Sequence, residues 1–365
     1  MQKIRIAITH GDINGVGYEV ILKTFSNPEM LSLCTPVIYG SPKVAIYHRN
    51  AVGLQENFNV VKDARDVRDN QLNLLNCFGE EEIKIEFGKP TPEAGRAAFV
   101  ALEAAAKDLD AGLVDVLVTA PINKHTIQCD GFRFPGHTEY VEQKLGRGQK
   151  ALMILMNENV RVALVTTHVP MAKLAQCITQ PLIEEKLHIL HQSLKRDLFI
   201  ENPRIAVLSL NPHCGDGGLL GEEEQTVITP AIENCFKQGI RCFGPYPADG
   251  FFGSGNYRHF DAILAMYHDQ GLAPFKALAM GDGVNFTAGL PIVRTSPAHG
   301  TAYDIAGKNE ASELSFRQAV FTAIDVFRNR IKYDEAFGNP LRKQYYEKRD
   351  DSDKLKLDQV TEDDV

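Results

Sequence analysis

Short apolar runs recur along the chain, and most of them are continuous rather than alternating. Continuous runs of about four to eight apolar residues are typical of strands that are buried on both faces of a parallel sheet. The pattern therefore predicts strands at residues 3–9, 36–40, 83–87, 114–120, 151–156, 161–167, 204–210 and 262–266.

Helical patterns lie between several of these runs. The clearest covers residues 91–112, where Thr91 can cap the helix, Pro92 suits its first turn and Gly112 its C-terminal stop. Residues 181–196, 222–238 and 313–331 also show helical patterns. Strands that alternate with helices predict an α/β fold with a largely parallel sheet.

The length of 365 residues exceeds what one ordinary core supports, so we expect two domains. We place an inner α/β domain at residues 126–269 and an outer α/β domain at residues 1–125 plus 270–345. Residues 349–365 form an acidic tail without aromatic residues, which we expect to stay disordered.

Composition excludes several classes of protein. The net charge is −8, and residues 350–365 contribute −5 of it with seven acids and two lysines. The sequence has no basic patch of the kind that indicates nucleic-acid binding. No apolar run approaches the roughly 18 residues of a membrane span. The N-terminus enters a strand pattern directly, without the apolar core of a signal peptide. Seven cysteines without paired spacing indicate a reducing compartment, so we expect a cytoplasmic protein.

Three histidines stand where an apolar run gives way to a turn. The runs are RVALVTTH ending at His168, RIAVLSLNPH ending at His213 and DAILAMYH ending at His268. Because the carboxyl ends of parallel strands line one crevice, these imidazoles could hold a divalent metal and leave a coordination position open. Neutral imidazole suits Zn²⁺ best, while Co²⁺, Ni²⁺, Fe²⁺, Mg²⁺ and Mn²⁺ stay open.

Other polar residues indicate an anion site. His137 and Thr138 of PGHTE open a helical pattern, and the first amides of a helix attract anions. Lys276, Asn285 and Arg294 stand in apolar, glycine-rich sequence and could clamp a phosphate or carboxylate. We place Arg294, which follows LPIV, at the end of another strand.

The glycine-rich segment GDINGVG at residues 11–17 does not match G-x-G-x-x-G. We interpret it as a tight strand-to-helix turn near the cleft. The chain has neither a phosphate-binding G-x-x-x-x-G-K-[ST] loop nor a G-x-S-x-G elbow, so nucleotide hydrolysis and serine hydrolysis lack support.

Several longer motifs follow in a fixed order: VTAPINK, PGHTE, TTHVP, LNPHCGDGG, GPYPADG, AMYHDQGL and GLPIVRTSPAHGTAYDIAGK. In these motifs, over about residues 4 to 330, the chain closely resembles the 4-hydroxythreonine-4-phosphate dehydrogenase family of vitamin B6 biosynthesis. HGTAYDIAGK also resembles the loop that meets the adenosine of NAD in isopropylmalate dehydrogenases. The resemblance implies a non-Rossmann, two-domain α/β/α fold related to isocitrate and isopropylmalate dehydrogenases, in a homodimer with its active site at the interface.

The resemblance also implies roles for individual residues. Both subunits would contribute the metal ligands His168, His213 and His268. Substrate contacts would be His137, Thr138, Lys276, Asn285 and Arg294, and dinucleotide contacts would be His299, Gly300, Thr301 and Ala302. As proton acceptors we name Asp249 and Asp269. One departure is the opening GDINGVGYE, where the family has a GDPAGIGPE-type sequence; it could alter the substrate end of the cleft.

The family's reaction is the oxidation of 4-phosphohydroxy-L-threonine by NAD or NADP. Two alternatives are enzymes: a sister dehydrogenase of D-threonate or D-erythronate 4-phosphate, and a zinc hydrolase that would use no dinucleotide. The third alternative is a metal-dependent binding protein that catalyses no reaction. In such a protein an open metal site beside buried anion-binding groups would have no purpose.

Overall fold

The computed structural model describes residues 3–55, 57–79, 83–279 and 281–338, and it shows an α/β fold around one twelve-stranded sheet. The strands are β1 (Ile4–Thr9), β2 (Cys34–Gly40), β3 (Phe58–Val61), β4 (Leu72–Asn76), β5 (Val116–Thr119), β6 (Leu152–Met156), β7 (Arg161–Leu164), β8 (Ile205–Leu208), β9 (Cys242–Tyr246), β10 (Ala262–Ala265), β11 (Val284–Ala288) and β12 (Arg294–Pro297).

The strand order is β3-β4-β2-β1-β5-β12-β11-β6-β7-β10-β8-β9. The six strands from β3 to β12 run parallel to one another, and so do the four strands from β7 to β9. Between these blocks, β11 and β6 pair antiparallel with each other and with their outer neighbours. The two parallel blocks therefore run in opposite directions across one sheet.

Helices cover both faces of the sheet. They are α1 (Gly17–Phe25), α2 (Pro28–Leu33), α3 (Pro42–Ala51), α4 (Pro92–Asp110), α5 (His137–Leu145), α6 (Leu174–Cys177), α7 (Gln180–Arg196), α8 (Thr229–Lys237), α9 (Ala248–Gly253), α10 (His268–Leu278) and α11 (Leu314–Phe337). The long α11 packs on β12, β11 and β5, while α4 packs on β1, β2 and β5. Among the described helices none is long and apolar enough to cross a membrane.

The α/β class and the largely parallel sheet are confirmed, and most predicted elements are present. The helix at 91–112 begins as expected, because Oγ1 of Thr91 accepts a hydrogen bond from N of Ala94, and Gly112 adopts a positive φ of 69° after its end. The predicted helix at 222–238 begins as a π-helical turn, Glu224–Ile228, before α8. All seven cysteines are free thiols.

Some strand predictions were wrong. Residues 83–87 form no strand, because their backbone is held by side chains instead: N of Lys84 donates to Glu93, and N of Glu86 donates to Asn14. Arg294 begins β12 rather than ending a strand. The sequence pattern also missed β3, β4, β9, β11 and β12.

The strand order groups the sheet by position in the sequence. The strands from β3 to β11 come from residues 1–125 and 270–345, and the strands from β6 to β9 come from residues 126–269. This grouping follows the predicted domain bounds, but the sheet is continuous where β11 pairs with β6. The division into two domains therefore stays a prediction. The acidic tail at 349–365 lies outside the described residues, as do residues 339–345.

Candidate active site

The cavity that holds the predicted anion-binding residues, here called the main cavity, lies on the face of β6, β11 and β12 that is opposite α11. Oγ1 of Thr295 donates to O of Ala319 in α11 at 2.8 Å, so the alternating neighbours Arg294 and Ser296 face the other side of the sheet. There they line a cavity of about 260 Å³. Its remaining walls are the segment after β5, the start of α5, the turn after β7, and α10.

Arg294 is the most unusual charge in this cavity. Its side chain is buried, and its three guanidinium nitrogens donate to the hydroxyls of Thr119 and Thr287 at 2.6 to 3.2 Å. Burial lowers the pKa of Arg294 to about 10, an effect that the charge of Glu139 opposes. A buried cation bonded to neutral hydroxyls is costly unless an anion pairs with it. The position therefore favours an anionic ligand.

The N-terminus of α5 opens onto the same cavity. Gly136 precedes the helix, and His137, Thr138 and Glu139 form its first turn and line the cavity wall. Burial, followed by the neighbouring charges of Arg294 and Lys124, holds the pKa of His137 well below its ordinary value. The imidazole is therefore neutral at neutral pH. With its unpaired amides, this turn offers hydrogen-bond donors to an anion.

The other predicted substrate residues line the cavity too. Lys276 lies in the last turn of α10, and Asn285 lies in β11. Oδ1 of Asn285 is buried without a hydrogen-bond partner in the described part of the chain. The structure thus brings together His137, Thr138, Lys276, Asn285 and Arg294.

The three histidines follow β7, β8 and β10, which are neighbouring parallel strands, so their loops leave the same edge of the sheet. The ring centroids of His168 and His268 lie 6.2 Å apart, and both residues line the main cavity. His213 is exposed and is not among the residues that line it. Within the described residues of this single chain, no group of three or more His, Cys, Asp or Glu side chains could hold a metal ion. Ligation by all three histidines therefore stays a prediction.

The two neighbouring imidazoles each have one polar partner. Nδ1 of His268 lies 2.6 Å from Oδ1 of Asp269, which leaves Nε2 as the lone-pair nitrogen when Nδ1 donates. Nε2 of His168 accepts from Nζ of Lys124 at 3.0 Å, because an ammonium group can only donate. The Nε2 lone pair of His268 is thus available to a cation of the borderline type that prefers imidazole, whereas that of His168 accepts from Lys124 and becomes available only when this ammonium group moves.

His213 lies in a turn with a left-handed backbone. Residues 213–217 all have positive φ values between 44° and 76°, although only two of the five are glycines. The buried carboxylate of Glu224 anchors this turn by accepting bonds from N of Leu210, and from N and Nδ2 of Asn211, at 2.7 to 3.0 Å. Strain of this kind persists only where the surroundings hold it. The contacts around this turn therefore hold His213 at an exposed position.

The predicted proton acceptors lie outside the main cavity. Asp269 is bonded to His268, and its side chain is 85% exposed. Asp249 lies in the first turn of α9 and is exposed. Neither lines the main cavity of the described chain, so their catalytic role stays a prediction.

A second cavity of about 500 Å³ adjoins the first, and small residues such as Gly283, Ala311 and Ser315 line much of it. His299, Gly300 and Ala302 of the predicted dinucleotide loop also line this cavity, whereas Thr301 faces the turn at 11–17. A Cβ atom on Gly300 would meet nothing within 4 Å, so the loop borders open space there.

The GDINGVG turn at residues 11–17 contacts this loop. The turn was predicted to lie near the cleft, and the contact places it there. N of Val16 donates to O of Thr301 at 3.0 Å, and Oη of Tyr303 donates to Oδ2 of Asp12 at 2.7 Å. A Cβ atom on Gly15 would lie 2.6 Å from O of Thr301. The glycine at this position therefore allows the turn to contact the loop.

Asn14, which lies in the part of this turn that departs from the family's pattern, has a structural role. Its Nδ2 donates to O of Lys89 and Oγ1 of Thr91, and its Oδ1 accepts from N of Glu86 at 2.7 Å. The side chain is buried and ties residues 86–91 to the turn. These contacts lie away from the main cavity, so they leave its anion-binding residues unchanged.

Sequence reasoning missed Lys124 and Glu139 as site residues. Both line the main cavity, and both contact His168, with Oε1 of Glu139 lying 3.8 Å from Nδ1. The contact with His168 lowers the pKa of Glu139 despite its burial. The signal was available, because Lys124 ends VTAPINK and Glu139 ends PGHTE, two motifs already recognised.

The fold and cleft define a class of protein: an α/β protein on an open mixed sheet, with a cavity lined by a buried arginine and two imidazoles and a second cavity adjoining it. The sequence model of the pyridoxal phosphate biosynthetic protein PdxA matches residues 32–323. The chain is 68% identical over 361 residues to the 4-hydroxythreonine-4-phosphate dehydrogenase of Bacteroides thetaiotaomicron, covering 99% of each chain. It therefore belongs to the PdxA family.

Two further comparisons bear on fold and substrate. The crystal structure of 4-hydroxythreonine-4-phosphate dehydrogenase from Klebsiella pneumoniae matches with a TM-score of 0.77 at 29% identity, covering 89% of this chain and 100% of that one. A relative from Oceanobacillus iheyensis, provisionally named D-threonate 4-phosphate dehydrogenase, is 36% identical over 324 residues and covers 88% of this chain and 97% of its own.

Proposed function

We propose that this protein oxidises 4-phosphohydroxy-L-threonine with NAD or NADP, in the biosynthesis of pyridoxal 5'-phosphate. The substrate loses a hydride from the carbon of its secondary alcohol and becomes 2-amino-3-oxo-4-phosphooxybutanoate. This β-keto acid loses CO₂ and gives 3-amino-2-oxopropyl phosphate. The family of the chain and the names of its relatives support this reaction.

One observation carries the proposal: the two cavities share a wall. Lys276, Ala298, His299 and Gly300 line both of them. A dehydrogenase must bring the reacting carbon of its substrate against the nicotinamide, and only a junction between a substrate cavity and a dinucleotide cavity allows this.

The main cavity suits a small substrate with two anionic groups. Arg294 offers a buried guanidinium, Lys276 an ammonium, and the first turn of α5 its amides with His137 and Thr138. Asn285 adds an amide whose Oδ1 lacks a partner among the described residues. Together these groups would hold the phosphate and the carboxylate and so fix the carbon between them.

We propose that His168 and His268 of one subunit and His213 of its partner in a homodimer hold a divalent metal, Zn²⁺ by preference. The position of His213 on an exposed turn supports ligation across an interface, and so do its apolar neighbours: Leu219 is 79% and Leu220 45% exposed. A metal bound there supplies Lewis-acid polarisation of a substrate oxygen.

The second cavity would hold the dinucleotide against His299, Gly300 and Ala302, while Thr301 joins their loop to the turn at 11–17. The open space beside Gly300 and the small residues of the wall fit a ligand that approaches the backbone closely. The support that Gly15, Val16 and Asp12 give this loop would keep it in place without the dinucleotide.

The second candidate is a sister dehydrogenase of a sugar-acid phosphate, which the name of the Oceanobacillus relative favours. Initial rates with 4-phosphohydroxy-L-threonine, D-threonate 4-phosphate and D-erythronate 4-phosphate, each with NAD⁺ and NADP⁺, decide between them. We expect the highest kcat/KM for the first substrate and loss of turnover after chelation. A higher kcat/KM for either sugar acid would contradict the proposal.

A further inference from the structure

Lys124 touches the two parts of the main cavity to which the proposed function assigns a metal and an anion. The residue follows β5 in the VTAPINK segment and lines the cavity. Its ammonium nitrogen lies 3.0 Å from Nε2 of His168. Its Cε carbon lies beside the N-terminus of α5, because a Cβ atom on Gly136 would be 3.8 Å away from it. One side chain therefore borders both proposed binding sites.

The contact with His168 occupies the place that a metal would need. Nδ1 of His168 faces Oε1 of Glu139 at 3.8 Å, so Nε2 is the ring nitrogen that is left for ligation. A single lone pair cannot accept a hydrogen bond and bind a metal ion at once. The ammonium group of Lys124 must therefore leave before His168 can ligate, and the charge of a bound dication would keep it away.

The surroundings of α5 repel this ammonium group when no anion is bound. The N-terminus of a helix carries the positive end of the helix dipole. Arg294 adds a buried guanidinium nearby. Burial lowers the pKa of His137 in the first turn, and the charges of Arg294 and Lys124 lower it further, so both cations act at this point. An anion bound at this turn would replace the repulsion by attraction.

We propose that Lys124 couples the binding of the metal to the binding of the substrate. In the metal-free protein its ammonium group donates to Nε2 of His168, and in the metal-loaded protein it turns to the anionic group of the substrate at the N-terminus of α5. The side chain is exposed and flexible, so this turn needs no change in the backbone. The anion site is thereby complete only when the metal is bound. The inference rests on the metal site and the substrate of the proposed function.

Thermodynamic linkage makes the coupling measurable. An anion that draws Lys124 away from His168 raises the affinity for the metal, and the metal raises the affinity for the anion by the same factor. Removing the ammonium group should therefore strengthen metal binding when no anion is present, and it should weaken the coupling between metal and anion. A lysine that only supports the local structure would give neither effect.

Zinc titration calorimetry of the metal-free, full-length protein measures the first effect. Lys124→Met keeps the length of the side chain but loses its charge and its donors. We expect it to bind zinc about 10-fold more tightly than wild type, because a competing charged hydrogen bond is gone. Lys124→Arg keeps a cationic donor and should stay within about threefold of wild type. Lys144→Met is the matched control, since it removes the same charge from an exposed position in the last turn of α5 and should leave zinc affinity unchanged.

Sulfate, a tetrahedral dianion, is the probe for the second effect, with the ionic strength matched by sodium chloride. We expect sulfate to strengthen zinc binding to wild type about fivefold more than zinc binding to Lys124→Met. Direct attraction between sulfate and zinc acts in both proteins and cancels in this difference. Lys124→Arg should respond to sulfate as wild type does.

Unchanged or weaker zinc binding in Lys124→Met would overturn the proposal, because the ammonium group would then not compete with the metal. An equal response of wild type and Lys124→Met to sulfate would overturn it as well. Wild-type protein that binds no zinc would refute the proposed metal site and this inference with it. Wild-type turnover of 4-phosphohydroxy-L-threonine tests the dehydrogenase function separately, so the two failures can be distinguished.

Discussion

Arg294 is a buried cation whose proposed contact with an anion would come at the expense of stability. The sequence placed a cation next to an apolar run and so predicted an anion contact, but it could not reveal that the guanidinium bonds hydroxyls rather than carboxylates. That fact depends on β5 and β11, which bring Thr119 and Thr287 against it. Likewise, no local pattern indicated that Asn14 joins residues 86–91 to the turn.

Replacing this buried charge should separate activity from stability. We expect Arg294→Met to lower kcat/KM roughly 100-fold, since a charged hydrogen bond is worth about 1.5–3 kcal/mol. The free energy of unfolding should stay the same or rise, because an apolar side chain of similar length avoids burying a charge. Steady-state kinetics and urea unfolding measure the two effects.

Arg65→Met is the matched control, because Arg65 is exposed and pairs with Asp63 at the surface. It should change neither quantity measurably. If Arg294→Met unfolds more easily than wild type by several kcal/mol and retains its kcat/KM, Arg294 is a structural residue and the anion site is misassigned.

Among the elements, the missed strands share a physical cause. β11 and β12 have the sequences VNFTA and RTSP, and one face of each carries polar residues toward the main cavity. A pattern based on apolar runs detects strands that are buried on both faces, so it overlooks strands that line a ligand site. The reversal of the sheet at β11 and β6 was unpredictable because the order and direction of strands depend on long-range pairing, which a local pattern does not show.

The turn at 213–217 was recognisable by its glycines, yet its non-glycine residues with positive φ were not. We expect Glu224→Gln to lower the free energy of unfolding by about 1–2 kcal/mol, because an amide group would face Nδ2 of Asn211 with a donor. If the turn positions His213 as a ligand, zinc affinity should fall about 10-fold or more. Urea unfolding and calorimetric zinc titration measure the two effects.

Glu222→Gln provides the control in the same segment, since Glu222 is exposed. It should leave both stability and zinc affinity near wild type. Equal zinc affinity in Glu224→Gln and wild type would show that the geometry of this turn does not matter for metal binding.

At the scale of the whole molecule, two buried histidines couple the fold to pH. Burial lowers the pKa of His10 to about 4 and that of His48 to about 3. Both values lie below the ordinary value of 6.5, so the stability that the neutral rings provide is complete above pH 6.5. It is lost as pH falls from 6.5 toward the folded-state values, because unfolding then takes up protons.

His48→Gln tests this coupling, because its amide can replace Nε2 and still donate to O of Ile13. Over the range from pH 6 to pH 4, its free energy of unfolding should fall less steeply than that of wild type by about 1.4 kcal/mol per pH unit. Urea unfolding at pH 7, 6, 5 and 4 gives both slopes. Parallel curves would show that His48 does not titrate on unfolding.

The sequence predicted the α/β class, the family and a set of residues that line one cavity, because each depends on local motifs. In the proposed homodimer a second copy of the chain completes the cleft, and no local motif reveals how the two copies meet. His168 and His268 meet within one subunit, while His213 lies on an exposed turn.

The most direct test of the account is to mix two inactive variants, His213→Ala and the double variant His168→Ala/His268→Ala, and to measure reduced dinucleotide formation with 4-phosphohydroxy-L-threonine. In a mixed dimer one site would carry both defects and the other none. The account predicts that activity returns after subunit exchange to about a quarter of the wild-type value, because half of the dimers would hold one intact site of two. Activity that stays at the level of the separate variants, although mixed dimers have formed, would contradict it.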